Sequence, residues 1–175
     1  AGDWETLKNV SAQAATNTLT AAGLKDCDYY RAEIFLDDFA TGANGPRFAF
    51  NHTNGAVDHS AAYAVETDKV DSGVSTLTST VSADAMPTGF AGEIEPQFYI
   101  LFVHATTSPA RFSASWQGWV SAANAATAGD HVDGSGAYFT AGQLLNTIAL
   151  TGTGDASTTQ FAAESTISVA GKNCR

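Results

Sequence analysis

The stretch Tyr29-Tyr30-Arg31-Ala32-Glu33-Ile34-Phe35-Leu36 decides how the chain is read. Tyr30, Ala32, Ile34 and Leu36 fall on one face of an extended segment; Tyr29, Arg31, Glu33 and Asp37 fall on the other. Successive side chains of a strand point to opposite faces, so this alternation marks a half-buried β-strand running from Tyr29 to Phe39.

The same reading extends outward in both directions. Thr41-Gly42-Ala43-Asn44-Gly45-Pro46 supplies the backbone angles of a turn. Arg47 to Asn51 then reads as the partner strand, with Phe48 and Phe50 inward. Ala61 to Val65 and Val74 to Val81 are weaker strands rich in Thr, Val and Ser. Gln97 to His104 is apolar on both faces, which places it mid-sandwich or against a partner subunit. Arg111 to Val120 alternates again. Ser121 to Gly136 has little pattern and reads as a long loop. Leu144 to Leu150 and Ser165 to Val169 close the set. Ser11 to Leu24 alternates loosely and reads as a short strand and turn, with Ala12 to Ala22 alone hinting at a helical period. The expected fold is all-β: a two-sheet β-sandwich, jelly-roll-like, of roughly eight to ten strands. Residues 1–10 read as an N-terminal arm or lead-in anchored by Trp4, Leu7 and Val10, and residues 11–175 as the single sandwich domain.

Composition narrows the function. Of 175 residues only 15% are charged, against about 25% in typical soluble domains. The surface is therefore built largely of Ser, Thr, Asn, Gly and Ala. The formal net charge is −10, with eight Lys and Arg in all. A nucleic-acid backbone needs clustered cations, and Arg31, Arg47 and Arg111 are scattered, so nucleic acid is not an expected partner. No apolar run approaches the length of a membrane-spanning helix, and no membrane partner is expected. The Ala1-Gly2 start fits either a trimmed Met or a cleaved signal. Asn9-Val10-Ser11 and Asn51-His52-Thr53 match the glycosylation sequon. Cys27 and Cys174 either join as a disulfide tying the last residues to an early strand or remain two free thiols.

Catalytic signatures are sparse. His52, His59, His104 and His131 lack metal-ligand spacing, and there is no GxSxG elbow, Walker loop or GxGxxG. Asp37-Asp38 and the pair Glu93 and Glu95 are the carboxylates available for glycosidase work, and they read better as solvated edge acids. No cofactor is expected, apart from a weak case for calcium. In Asp130-His131-Val132-Asp133-Gly134-Ser135-Gly136, Asp130 and Asp133 sit among glycines that could let oxygens converge on a hard cation, though a turn reads better. Trp116 and Trp119 are an odd number apart, so on a regular strand one packs inward and the other is exposed.

The C-terminal third carries a resemblance. Asn146-Thr147-Ile148-Ala149-Leu150, followed by Phe161-Ala162-Ala163-Glu164-Ser165-Thr166-Ile167-Ser168-Val169-Ala170-Gly171, resembles the ending of tailed-bacteriophage virion surface β-sandwich proteins. That ending runs I-x-x-I-x-L, a Gly-rich turn, then F-x-x-G-S-x-I-x-L-Y-G. Trp4 before a short strand, the Tyr29 strand, Arg47-Phe48-Ala49-Phe50 and Tyr63 are similar to its beginning. Glu164 stands where that ending has Gly, and Ala170 where it has Tyr. The resemblance implies a sandwich on phage particles, as head decoration, head fibre or tail appendage, and carries over no catalytic residue.

Two readings follow. The first is a non-enzymatic virion structural protein, a capsid decoration (cement) protein on the particle surface. Its partners would be the major capsid protein or other virion proteins, and the chain would be a homo-oligomer, with a trimer expected. Trp4, Leu7, Tyr99 and Leu101 are the candidate assembly contacts. The alternative is a carbohydrate- or receptor-binding module of a tail appendage or secreted protein. It would bind a host surface glycan through Trp119, Tyr138 and the Asp130–Gly136 segment. A third, enzymatic reading would rest on Glu93 or Asp38.

Overall fold

The computed structural model describes residues 3–37, 46–50, 63–71, 74–82, 86–90, 96–107, 110–120, 130–139, 144–152 and 161–175. These form twelve strands: β1 Glu5–Ser11, β2 Thr18–Ala22, β3 Cys27–Leu36, β4 Arg47–Phe50, β5 Tyr63–Asp71, β6 Val74–Ser82, β7 Met86–Pro87, β8 Gln97–Thr107, β9 Ala110–Val120, β10 His131–Phe139, β11 Thr147–Thr151 and β12 Thr166–Cys174. One sheet holds eight strands in the order β1-β12-β3-β8-β9-β10-β5-β6, and the other holds four in the order β2-β11-β4-β7. The expected two-sheet sandwich is present, with strongly unequal sheets. Among the described residues no helix is long and apolar enough to cross a membrane.

The alternation in β3 is what the sequence dictates: Tyr30, Ala32, Ile34 and Leu36 are buried, while Tyr29, Glu33 and Phe35 are exposed. In β8 the same rule splits an apolar run. Tyr99, Leu101 and Val103 face the core, and Phe98 and Phe102 face outward. Across the interior, the small sheet answers with Phe48, Phe50, Ile148, Leu150 and Leu19. Phe48 is the junction. Its ring meets Tyr99 edge-on at 5.6 Å between centroids and Trp116 at 5.1 Å. Phe50 approaches Phe112 at 6.3 Å. The Trp116 indole N–H donates to the Thr88 carbonyl at 3.1 Å, so this large side chain is buried without an orphaned donor.

Four expectations need correction. Arg47–Phe50 is not the hairpin partner of the Tyr29 strand; β4 pairs with β11 and β7, while β3 pairs with β12 and β8. The two runs share a pattern because both are half-buried, and pattern does not specify the partner. Residues 5–10 are not a detached arm, since β1 is an edge strand in register with β12, with a bulge between Thr6 and Lys8. Of the segment 121–136 read as a loop, 121–129 lie outside the described residues, and the part from His131 on belongs to strand β10, which pairs with β9 and β5. The Ala12–Ala22 hint of a helix gives way to an isolated bridge at Thr16 and strand β2.

Glycine placement explains why β10 looks patternless. A Cβ on Gly134 would lie 2.0 Å from the Trp116 ring, and one on Gly118 would lie 2.7 Å from the Tyr99 ring. These glycines make room for large aromatics on neighbouring strands, and so remove the apolar residues that would have marked the strand. Gly134→Ala is therefore expected to lower unfolding stability by about 1–3 kcal/mol, as overpacking does in a filled core; urea titration with unchanged far-UV dichroism would check this.

Candidate contact surface

The outward face of the eight-stranded sheet can be laid out row by row from its register. One row reads Phe35, Phe98, Trp119, His131, Val70. The next reads Glu33, Ile100, Gln117, Asp133, Asp68, and the third Arg31, Phe102, Ser115, Ser135, Glu66. The fourth reads Tyr29, His104, Ser113, Ala137, Ala64. Aromatic side chains thus concentrate on β3 and β8, and small hydroxylic ones on β9 and β10. Phe102 is 46% exposed, Phe98 37% and Trp119 38%. Phe98 and His131 flank Trp119 at 5.9 and 5.8 Å between ring centroids, and Tyr29 stacks on His104 at 4.7 Å. A shallow depression of about 380 Å³ is lined by Ile100, Phe102, Ser115, Gln117 and Asp133 on this face.

The candidate contact residues divide. Trp4 lies exposed, with the Arg31 guanidinium 5.3 Å from its ring centroid. Leu7 is half-buried against the core. Tyr99 and Leu101 are fully buried and cannot meet a partner; the Tyr99 hydroxyl is hydrogen-bonded to Thr88 Oγ1 at 3.1 Å. The doubly apolar run holds contact candidates on its even positions, Phe98 and Phe102, because odd positions face the small sheet. Periodicity in the sequence shows two faces and does not say which is inward.

Trp116 is buried and Trp119 exposed, as their odd spacing requires, with no bulge in the register of Gly118. Trp119 and Tyr138 do not form one site. Trp119 pairs with His131 and Tyr138 with Phe112, at opposite ends of β10. Seven residues of strand separate those ends by roughly 24 Å. Asp130 and Asp133 are not brought together with a third ligand among the described residues, since Asp133 points outward from a paired strand and its carboxylate lies 3.6 Å from His131 Nε2. Asp133 stands directly opposite Asp68, an unfavourable like-charge pairing. Asp68 is turned to the Ser75 hydroxyl, which donates to it at 2.6 Å. Glu93, Glu95, Asp38, His52, His59 and the Asn51 sequon lie outside the described residues.

Cys27 and Cys174 are joined, pairing across β3 and β12 at a sequence separation of 147. The Glu5 carboxylate lies beside the two sulfurs, close enough for a metal set, but both thiols are consumed by the disulfide and Glu5 pairs with Lys25 at 3.2 Å. Around the disulfide the chain ends are fastened. Arg175 bonds Asp26 at 3.0 Å and Asp28 at 2.9 Å, and these two carboxylates hold its guanidinium pKa above the ordinary value. Tyr30 donates its hydroxyl proton to the Lys25 carbonyl at 2.7 Å and accepts the Cys27 N–H at 2.9 Å. Burial raises its pKa above 10.0, partly offset by the Cys27 bond.

No protein-family model matches this chain, and no curated protein does. Among solved structures, a chain titled "Crystal structure of Scytalido-glutamic peptidase with a peptide based transition state analog" is similar at 12% identity, covering 89% of this chain and 74% of that one, with a TM-score of 0.25. So low a score supports no argument about fold or activity.

Two outcomes are expected at the disulfide corner. Closing a loop of this length removes much of the unfolded chain's freedom, so reduction, or paired Cys27→Ala and Cys174→Ala substitution, should cost about 2–5 kcal/mol in denaturant titration. Tyr30 gives a pH signature. Because its folded pKa is raised, its contribution is complete below 10.0 and declines as pH climbs past that value, where the unfolded tyrosine ionises first. Tyr30→Phe should flatten that alkaline decline in melting temperature, and an unchanged slope would refute the assignment.

Proposed function

We propose that this chain is a non-enzymatic virion structural protein, a capsid decoration protein that seats the outward face of its large sheet on the major capsid protein. The observation that carries the reading is that face: Phe35, Phe98, Phe102, Trp119 and Tyr29 stand exposed on neighbouring strands of a chain with unusually few charges. Contiguous exposed apolar surface marks a macromolecular contact, and aromatics with few charges are the composition of interface centres.

The resembled ending supports the same reading through its geometry. Phe161, Ser165, Ile167 and Val169 are all buried. Glu164, where that ending has Gly, takes φ 73°, in the left-handed region that favours glycine. A Cβ on Gly171 would meet Cys27 Sγ at 2.6 Å. Phe161, Glu164, Ser165, Ile167, Val169 and Gly171 thus each have a structural task here, while Ala170, where the ending has Tyr, is only half-buried. A disulfide is at home in an oxidising, extracellular setting, as a particle surface is.

A glycan-binding module is the second reading, favoured by Trp119 standing exposed on the same face as Gln117 and Asp133. An aromatic face can stack on a sugar ring while an amide and a carboxylate bond its hydroxyls.

Cryo-electron microscopy of purified particles separates these. Many copies at regular capsid positions are expected, and Phe98→Ser with Phe102→Ser should weaken particle binding at least tenfold while leaving dichroism unchanged. A few copies at a tail tip, with glycan-array binding lost in Trp119→Ala, would replace the decoration reading by the second. Absence from particles altogether would sink it.

A further inference from the structure

The two edges of the eight-stranded sheet are built differently. β1 carries Glu5, Lys8 and Asn9, and a bulge interrupts its register between Thr6 and Lys8. Charges and bulges are how sheet edges are kept from pairing with other chains. β6, Val74-Ser75-Thr76-Leu77-Thr78-Ser79-Thr80-Val81-Ser82, has neither. It runs nine residues without a charge or a proline, in unbroken register with β5. The small sheet does not reach it: Val74 to Ser79 are exposed on both faces, with Val74 and Leu77 at 65%. Among the described residues no strand pairs with its outer edge.

We infer that β6 pairs edge to edge with β6 of a second copy of this chain, antiparallel, about a two-fold axis at Leu77. The sequence around Leu77 is self-complementary. With Leu77 opposite its own copy, Thr76 meets Thr78, Ser75 meets Ser79 and Val74 meets Thr80. Every cross-strand pair then joins like with like, or β-branched with β-branched, on the same face. A two-fold interface requires such self-complementarity. The acids of β5 are satisfied locally: Asp68 and Glu66 are turned to the hydroxyls of Ser75 and Ser79. This brings their carboxylates toward the axis, and salt screens the repulsion between the two copies. The pairing makes one continuous sheet of two copies, with the aromatic rows of both on its surface. It does not depend on the virion reading, since it is measured on the purified chain.

Sedimentation equilibrium of the full chain should give a mass of two chains, with association tightening as salt rises. Leu77→Lys should raise the dimer dissociation constant at least tenfold with unchanged dichroism, because the side chain is exposed. The native cysteines are both in the disulfide, so an introduced thiol reports alone. Leu77→Cys should oxidise to a covalent dimer. Thr76→Cys and Thr78→Cys should cross-link when mixed and not separately. A monomer at millimolar concentration, a mass of three chains, or cross-linking of Thr76→Cys with itself in preference to Thr78→Cys would overturn the inference. Particle binding by a chain that stays monomeric would overturn it and leave the decoration reading standing.

Discussion

Phe48 reaches from a four-stranded sheet into the space between Tyr99 and Trp116 of an eight-stranded one, and the rest of the architecture answers to that packing. Four strands cover the inner face only over the strands they reach. Under β3, β8 and β9 the inward positions are buried, from Ala32 and Ala114 to Tyr30, Tyr99 and Trp116. Toward β10 and β5 the cover passes to the Met86–Phe90 segment, where a Cβ on Gly89 would meet Val132 at 2.6 Å. At β6 it has run out. Burial drives folding in proportion to the apolar area removed from water, so Val74 to Ser79, exposed on both faces, gain little from it and rest on their ladder to β5.

The same asymmetry separates the faces of the large sheet. Its inner side is a filled interior in which glycines yield space to aromatic rings. Its outer side keeps the aromatic residues that alternation alone would assign to solvent. Like charges at Asp68 and Asp133 are tolerated there because each carboxylate has its own local partner. Hydroxyls line the β9 and β10 side of this face, and a partner that covers them must supply hydrogen bonds to offset the water they lose.

Most of the sandwich was legible from alternation. The strand at Tyr29, the doubly apolar strand at Phe98 and the opposed tryptophans follow from the period-two rule alone. What was not legible has identifiable causes. The partner of Arg47–Phe50 depends on which sheet a half-buried strand joins, and its own residues do not encode this. Strand β10 was hidden because two of its inward positions, Gly134 and Gly136, are glycines placed against Trp116 and Met86. Tyr99 and Leu101 were chosen as contacts because two apolar faces look alike until one meets Phe48. The pairing of Cys27 with Cys174 could not be derived, since two cysteines far apart in sequence set no geometry until β3 and β12 lie side by side. The unguarded edge at β6, by contrast, was present in the letters as a run of Ser, Thr and Val, and needed only its place in the sheet order to be recognised.

The disulfide closes residues 27–174 into a covalent ring. All the strands from β3 to β12 lie on that ring. A protease that cuts one connection between them opens the ring into a line and releases nothing. Two cuts are needed to free a fragment, and each piece left behind stays held at high local concentration beside its sheet neighbours. Damage that would dismantle an open chain is, for this one, a change of topology without a loss of parts.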